Sequence, residues 1–178
     1  MFARFGKCNP CTVRCVGTAR AAQPDTSAVL IDVLRGHPEV LAALETANEA
    51  AWESVDPCLL ELARLRVAML LGCAAEFTHR SPVALSAGFN EQQAEHLALW
   101  PTSALFGPVE RACLAFTEEF VFDVANLSNR TAEDVREYLG DAGLADFTTA
   151  LLVVEQRQRL RLTWEKLFPA NIDREARP

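Results

Sequence analysis

The sequence predicts an all-α domain of about seven or eight helices. Apolar residues recur at the three- and four-residue spacing of amphipathic helices, as in Val40, Leu41 and Leu44. Prolines, glycines and capping residues divide these runs into segments of helical length. No alternation of β-branched and polar residues lasts four residues outside a helical run, so we expect no strands.

The composition is that of a folded protein with one core. The 178 residues are 50% hydrophobic and 23% charged, with a formal net charge of −7. Such a balance is ordinary for a globular domain and disfavours a nucleic-acid-binding surface. No run approaches the roughly 18 apolar residues of a membrane span, and the N-terminus lacks the apolar core of a secretory signal. We therefore expect a cytoplasmic protein with neither a membrane nor a nucleic-acid partner.

The chain divides into three regions by composition. Residues 1–24 have no clean apolar period and contain turn residues and basic charges without an acid, which is typical of an extension. Residues 25–169 carry the helical pattern, and residues 170–178 form a polar tail. We therefore expect a single helical domain with an extension at either end.

Three cysteines of the extension have metal-like spacing. Cys8, Cys11 and Cys15 read C-x-x-C-x-x-x-C, a spacing that suits a disulfide, a redox pair or a metal site. A tetrahedral site needs a fourth ligand, and the nearest candidates are His37 and Cys58, well outside the cluster. Unligated thiols, a redox pair and a metal site all remain open, and we predict neither a metal nor another cofactor.

The first two helices have clear boundaries. Asp25 or Ser27 can cap a helix over 28–36, which ends at a glycine. Pro38 can open the next helix, over 38–52, because proline is favoured in the first turn.

The third predicted helix is the centre of the domain. Asp56 precedes a proline and can cap a helix over 57–71. This segment is apolar nearly all round and is interrupted only by Glu61, Arg64 and Arg66, which is typical of a helix inside a bundle. A carboxylate in such a helix must pair, as Glu61 could with Arg64, or hold its proton through desolvation. Both outcomes are compatible with a catalytic base.

A fourth helix is predicted over 73–88. At about 100° per residue it puts Cys73, Glu76 and Arg80 on one largely apolar face, with His79 on its flank. One interpretation is an internal Glu76–Arg80 ion pair beside a small buried cysteine. The other is a functional pocket, since burying charges is costly unless they are paired or used.

Pro82 lies inside this helix and predicts a kink that frees the carbonyl of Thr78. The rest of the chain predicts four more helices, over 91–100, 109–126, 131–143 and 144–168.

The last helix has a basic second half. Arg157, Arg159, Arg161 and Lys166 could form a stripe that binds phosphate or an acid. A solvated face or a subunit contact is the more ordinary interpretation of such a run.

The stretch from 61 to 89 reads E-L-x-x-L-R-V-A-x-L-L-G-C-x-x-E-F-x-x-R-x-P-x-A-L-x-A-G-F. This pattern resembles the carboxymuconolactone decarboxylase family, which includes the alkylhydroperoxidase D-like proteins, over roughly residues 56–97. Members have a glutamate twelve residues before a cysteine, and Glu61 and Cys73 have that spacing. The resemblance implies an alkylhydroperoxidase D-like helical bundle with a central helical hairpin, usually assembled as trimers or hexamers.

The sequence departs from the peroxidase branch of that family. Glu76 stands where that branch has a second cysteine, and Arg80 stands where it has a histidine. Cys73, Glu76 and Phe77 match the Cys-x-x-Glu-aromatic pattern of the decarboxylase-like branch, whereas His79 lies one residue early. A disulfide-cycling peroxidase needs an adjacent thiol pair, and Cys73 has no such partner.

The resemblance and these departures favour a carboxymuconolactone decarboxylase-like enzyme without a cofactor. Glu61 or Glu76 would move a proton next to a carboxyl or lactone group, and Arg80 would hold an acidic group of a small-molecule substrate. The candidate site comprises Glu61, Cys73, Glu76 and His79 as catalytic residues, and Phe77 and Arg80 as substrate-binding residues.

Two alternatives remain. The first is a thiol-dependent alkylhydroperoxidase-like antioxidant protein centred on Cys73, with its resolving thiol from Cys8, Cys11, Cys58 or a separate reductant. The second is a family member that keeps the oligomeric fold without catalysis.

Overall fold

A computed structural model of the chain describes residues 26–168. The thiols of Cys8, Cys11 and Cys15, the predicted cap Asp25 and the tail 170–178 lie outside the described residues, so the predictions made on them stay predictions. Between residues 26 and 168 the chain is helical and contains no strand, which confirms the all-α prediction.

The helices follow the predicted order. They are α1 (Thr26–Val33), α2 (Pro38–Ser54), α3 (Pro57–Leu71), α4 (Ala74–Thr78), α5 (Pro82–Ser86), α6 (Glu91–Glu95), α7 (Pro108–Asp123) and α8 (Asn129–Leu167). Two short 3₁₀ turns, Leu97–Leu99 and Val124–Asn126, follow α6 and α7.

Helix α3 begins and ends where its sequence predicts. The Asp56 carboxylate accepts the backbone N–H of Leu59 at 2.9 Å, and a proline occupies the first turn. Gly72 takes the left-handed conformation at φ 71°, which ends the helix without the strain that a Cβ would add. Most of α3 is buried against α7 and α8, as expected for a central helix. Burying Leu60 or Leu65 completely contributes about 1.5–3 kcal/mol each.

The single helix predicted over 73–88 is wrong. The chain instead forms two short helices, α4 and α5, joined by an extended link in which His79 has ψ 149° and Ser81 has ψ 127°. Proline disfavours helical geometry in the residue before it and is itself favoured at a helix start. Pro82 therefore opens α5 rather than kinking a longer helix, and the predicted hairpin partner of α3 is a helix–link–helix segment.

The two helices predicted over 131–143 and 144–168 form one long element, α8. Its cap is Ser128, whose side chain accepts the N–H of Thr131 at 3.1 Å, so α8 begins before the predicted start at Thr131. The backbone is non-helical at Gly140, with φ 73° and ψ 178°, and this glycine marks a kink between the two predicted parts.

Candidate functional site

Three charged residues form a buried ion-pair cluster between α3 and α4. Arg64 Nε and Nη2 donate to the two oxygens of Glu61, each at 2.8 Å, in a bidentate pair. Arg64 Nη1 also donates to Glu76 Oε2 at 2.6 Å. The Glu61 side chain has 0% exposure, so its charge depends on Arg64 for compensation. The predicted pairing of Glu61 with Arg64 is confirmed.

The same cluster clamps the extended link to α3. Arg64 donates to the backbone carbonyls of Glu76 at 2.9 Å and His79 at 2.7 Å. Glu61 Oε1 accepts the backbone N–H of Ser81 at 3.1 Å. Burial alone would lower the pKa of Arg64, but the hydrogen bonds and charges of Glu61 and Glu76 together raise it above its usual value. Arg64 is therefore a permanent cation that holds α4 and the link in position.

A cavity of about 150 Å³ opens beside this cluster. Its walls come from α2, α3, α4, the α4–α5 link, the start of α5 and α8, and Thr26 of α1 also lines it. The lining includes Trp52, Arg64, Glu76, His79, Arg157 and Gln158. Apolar, acidic, basic and amide groups thus converge on one concave site, which is typical of a small-molecule binding pocket.

Glu76 is the acidic residue of the cluster that lines the cavity. It is buried at 9% exposure, and Arg64 holds its Oε2. Within residues 26–168 no hydrogen-bond donor reaches its Oε1, which leaves this oxygen available to a ligand. His79 lines the same cavity and is exposed. Of the predicted catalytic residues, the structure brings Glu76 and His79 to the cavity and puts Glu61 behind Arg64.

The predicted basic stripe on the last helix does not exist as an exposed face. Arg157 and Arg161 are buried. Arg157 lines the cavity and pairs with Glu45 at 3.4 Å, whereas Arg161 pairs with Glu165 at 2.8 Å. Arg159 and Lys166 are the exposed members of the group. Helical rotation separates these residues, so Arg157 is the member of the predicted stripe that lines the cavity, where Arg64 of α3 is also present.

The predicted substrate-binding pair, Phe77 and Arg80, lies away from the cavity lining. Arg80 Nη2 pairs with Glu91 at 2.6 Å, and Nη1 donates to the Phe77 carbonyl at 2.6 Å. Its guanidinium lies 5.9 Å from the centre of the Phe77 ring. The Glu76–Arg80 ion pair that the helical reading offered is therefore wrong, because the break in the helix turns Arg80 towards α6. The pKa of Glu91 is lowered by its hydrogen bond to Arg80.

Cys73 is enclosed in the core and does not line the cavity. Its exposure is 0%, and burial raises the pKa of its thiol. The backbone N–H of Glu76 and the charge of Arg161 oppose this rise in pKa without cancelling it. Because the thiolate is the reactive form of cysteine, this environment disfavours Cys73 as a nucleophile towards peroxide.

Several cavity residues escaped the sequence analysis as site residues. For Trp52 and Gln158 the sequence predicted only that they lie in helices. Arg157 was predicted as part of a basic stripe on the last helix. Arg64 was predicted as a partner of Glu61, but its reach to Glu76 and His79 depends on the extended link. The proline at position 82 was the available signal for that link.

Two general features of the described residues bear on function. No group of three or more histidine, cysteine, aspartate or glutamate side chains in 26–168 is arranged to hold a metal ion. No helix in the same range is both long enough and apolar enough to cross a bilayer.

Comparison with known proteins agrees with this architecture. A crystal structure from Agrobacterium tumefaciens is similar, with 18% sequence identity and a TM-score of 0.65, over 75% of this chain and 92% of that chain. That protein is of unknown function, with only a suggested role as an antioxidant defence protein AhpD, and at this identity the likeness supports the fold alone. No curated protein sequence matches the chain. The model of the Carboxymuconolactone decarboxylase family matches residues 38–119. Through this region the chain is similar to the carboxymuconolactone decarboxylase family, and it has an alkylhydroperoxidase D-like helical fold.

Proposed function

We propose that the chain is a carboxymuconolactone decarboxylase-like enzyme that moves a proton on a small carboxylic acid or lactone. The acid–base group is Glu76. The observation that carries this proposal is the position of its carboxylate, which lines the cavity with one oxygen held by Arg64 and the other without a protein partner among the described residues. A carboxylate fixed at one oxygen and open at the other can accept or donate a proton without losing its orientation.

Glu61 and Arg64 act in this proposal as positioning residues. The bidentate bonds between them fix the guanidinium, and the guanidinium in turn fixes Glu76 and the carbonyl of His79. Glu61 is enclosed and accepts three hydrogen bonds from Arg64 and Ser81, so it has no open oxygen to offer a substrate. Glu61 therefore acts through Arg64 and not on the substrate.

Arg157 takes the anchoring role that the sequence suggested for Arg80. Arg157 lines the cavity, and its contacts to Glu45 at 3.4 Å are long for a charge-assisted hydrogen bond. A substrate carboxylate can compete with Glu45 for the guanidinium, because Arg presents five donors in a planar fork. His79, at the exposed side of the cavity, is placed to exchange protons with solvent.

The reaction class follows from these roles. With the acidic group of the substrate held at Arg157, Glu76 takes a proton from the carbon next to a carboxyl or lactone group. The electron pair of the broken C–H bond moves into the adjacent carbonyl as an enolate, and the proton is later returned to carbon. In a decarboxylation, the bond to the leaving carboxylate breaks instead, carbon dioxide departs, and protonated Glu76 supplies the proton that replaces it.

The test is turnover of a panel of small carboxylic acids and lactones, followed by proton NMR. Glu76→Gln keeps the shape and removes the acid–base function, so we expect a loss of about 10²-fold or more on any acid that the wild type turns over. Glu91→Gln is the matched control, since it removes a carboxylate from another Arg–Glu pair outside the cavity. A Glu76→Gln protein with the turnover of wild type would refute the assignment.

A further inference from the structure

One residue of the cavity lining carries a buried hydrogen-bond acceptor that has no partner among the described residues. Gln158 of α8 lines the cavity and is 1% exposed. Its Nε2 donates to the backbone carbonyl of Arg64 at 2.9 Å, which fixes the orientation of the amide because a carbonyl cannot accept from Oε1. Gln158 Oε1 is buried and has no hydrogen-bond partner among the described residues.

A buried acceptor without a hydrogen-bond partner indicates that a ligand supplies the donor. Leaving a buried polar atom unpaired costs free energy, and the few unpaired groups in native proteins often belong to binding sites. Glu76 Oε1 is a second acceptor in this cavity that no donor within residues 26–168 reaches. Within residues 26–168, Gln158 Oε1 and Glu76 Oε1 can therefore each accept a hydrogen bond from a ligand. Arg157 adds a positive charge to the same cavity.

The size of the cavity limits the rest of the ligand. A volume of about 150 Å³ matches an engineered cavity that takes up benzene, so a single six-membered ring or its equivalent fits. Trp52 and Val154 supply apolar surface for the body of such a ligand. A long-chain or multi-ring acid would extend out of the cavity into solvent.

We propose that Gln158 is a specificity-determining residue, which selects compact acids carrying a hydrogen-bond donor over acids of equal size without one. Gln158 Oε1 accepts the hydroxyl or N–H group of the ligand, and Arg157 holds its carboxylate. The inference rests on the proposed function, because it takes the same cavity and an acidic ligand. A site built to bond a hydroxyl rejects an analogue that lacks it, because its own polar group is then left unpaired.

The experiment compares the binding of two sets of probes by isothermal titration calorimetry. The three hydroxybenzoate isomers carry a ring hydroxyl, and the three methylbenzoate isomers replace it with a methyl group of similar size. The variants are Gln158→Met and, as the matched control, Gln93→Met, since Gln93 also donates its Nε2 to a backbone carbonyl, that of Leu105 at 2.9 Å, outside the cavity lining.

We expect the wild type and Gln93→Met to bind at least one hydroxybenzoate about tenfold or more tightly than its methyl counterpart. In Gln158→Met that preference should fall to near unity. Binding of the acids without a preference in wild type, or an equal preference in Gln158→Met, would overturn the inference and leave the proposed function standing. If no acid of either set binds the wild type, the acid-binding site itself is refuted. If Gln158→Met does not fold, the absence of a preference in the wild type would still overturn the inference.

Discussion

Arg64 is the residue whose loss the structure predicts to be most costly. It makes five hydrogen bonds, to both oxygens of Glu61, to one oxygen and the carbonyl of Glu76, and to the carbonyl of His79. Arg64→Met keeps much of the aliphatic volume but removes every one of these bonds. Among residues 26–168, the variant leaves the carboxylate of Glu61, at 0% exposure, with only the backbone N–H of Ser81 as a partner.

The magnitude follows from the burial of the charge. Removing one partner of a buried ion pair costs about 3–5 kcal/mol, because the other charge stays uncompensated. At about 2–4 °C per kcal/mol for a chain of this size, the melting temperature should fall by roughly 6–20 °C. Replacing both partners, as Glu61→Leu with Arg64→Met, should cost about 0.5–3 kcal/mol less than the sum of the single variants.

The assay is urea unfolding at neutral pH, followed by far-ultraviolet circular dichroism. Arg159→Met is the control, since Arg159 forms an i,i+4 pair with Glu155 on the surface and should contribute less than about 1 kcal/mol. If Arg64→Met and Arg159→Met are equally stable, the reasoning about the buried cluster is wrong.

Three further predictions concern other parts of the chain. The pKa of Glu119 is lowered by hydrogen bonds from the start of α8, chiefly from the backbone N–H of Ser128 and then from the hydroxyl of Thr131. The stabilisation by the Glu119 carboxylate is therefore present at neutral pH and is lost as the pH falls through the lowered pKa. Glu119→Gln should therefore destabilise the protein by about 0.5–1.5 kcal/mol at pH 7 in urea unfolding, and a difference that does not shrink towards about pH 3 would contradict this. Alkylation at neutral pH, read by peptide mass spectrometry, should modify the half-buried Cys58 before the enclosed Cys73, and the reverse order would show that Cys73 is reactive. Gly140→Ala should lower the free energy of unfolding by about 1–3 kcal/mol, because φ 73° with ψ 178° is open to glycine alone. Gly36→Ala is the control and should leave stability nearly unchanged, since Gly36 has no positive φ. Equal melting temperatures of the two variants would argue against the kink.

The sequence predicted best where local rules agree with the packing. The start of α3 depends on a side-chain cap and a proline, and its end depends on Gly72, so Asp56 and Gly72 could be identified without knowledge of any contact. The nearly continuous apolar character of 57–71 also predicted its central position, because such a helix has no face to offer water. The pairing of Glu61 with Arg64 followed from their spacing on that helix.

The helix prediction was wrong where the 3.6-residue apolar period was extended through a proline. Extending 3.6-residue periodicity through Pro82 put Arg80 on the face of Glu76, whereas the extended link turns it towards Glu91. Charge pairs chosen along one predicted helix were therefore replaced by pairs between elements. The proline favoured both a kink and a break, and the bonds of Arg64 to the link stabilise the break.

The cavity itself could not be found from local patterns. Glu45 and Arg157 are 112 residues apart in the chain, and Gln158 meets Arg64 across 94 residues. A single sequence contains no signal for contacts between residues so far apart in the chain. A glutamine or arginine that lines a cavity therefore cannot be distinguished from one on the surface of a helix. Only the packing of α8 against α2 and α3 makes these side chains part of one site.

The most direct test of the account compares Glu76→Gln with Cys73→Ser in two parallel assays. One assay follows turnover of the acid and lactone panel by proton NMR, and the other follows intact mass after limiting hydrogen peroxide. We predict that Glu76→Gln loses acid turnover, that Cys73→Ser retains it, and that peroxide causes no rapid change that depends on Cys73. Rapid oxidation of the wild type that disappears in Cys73→Ser, with acid turnover absent throughout, would contradict the account and identify thiol chemistry as the function.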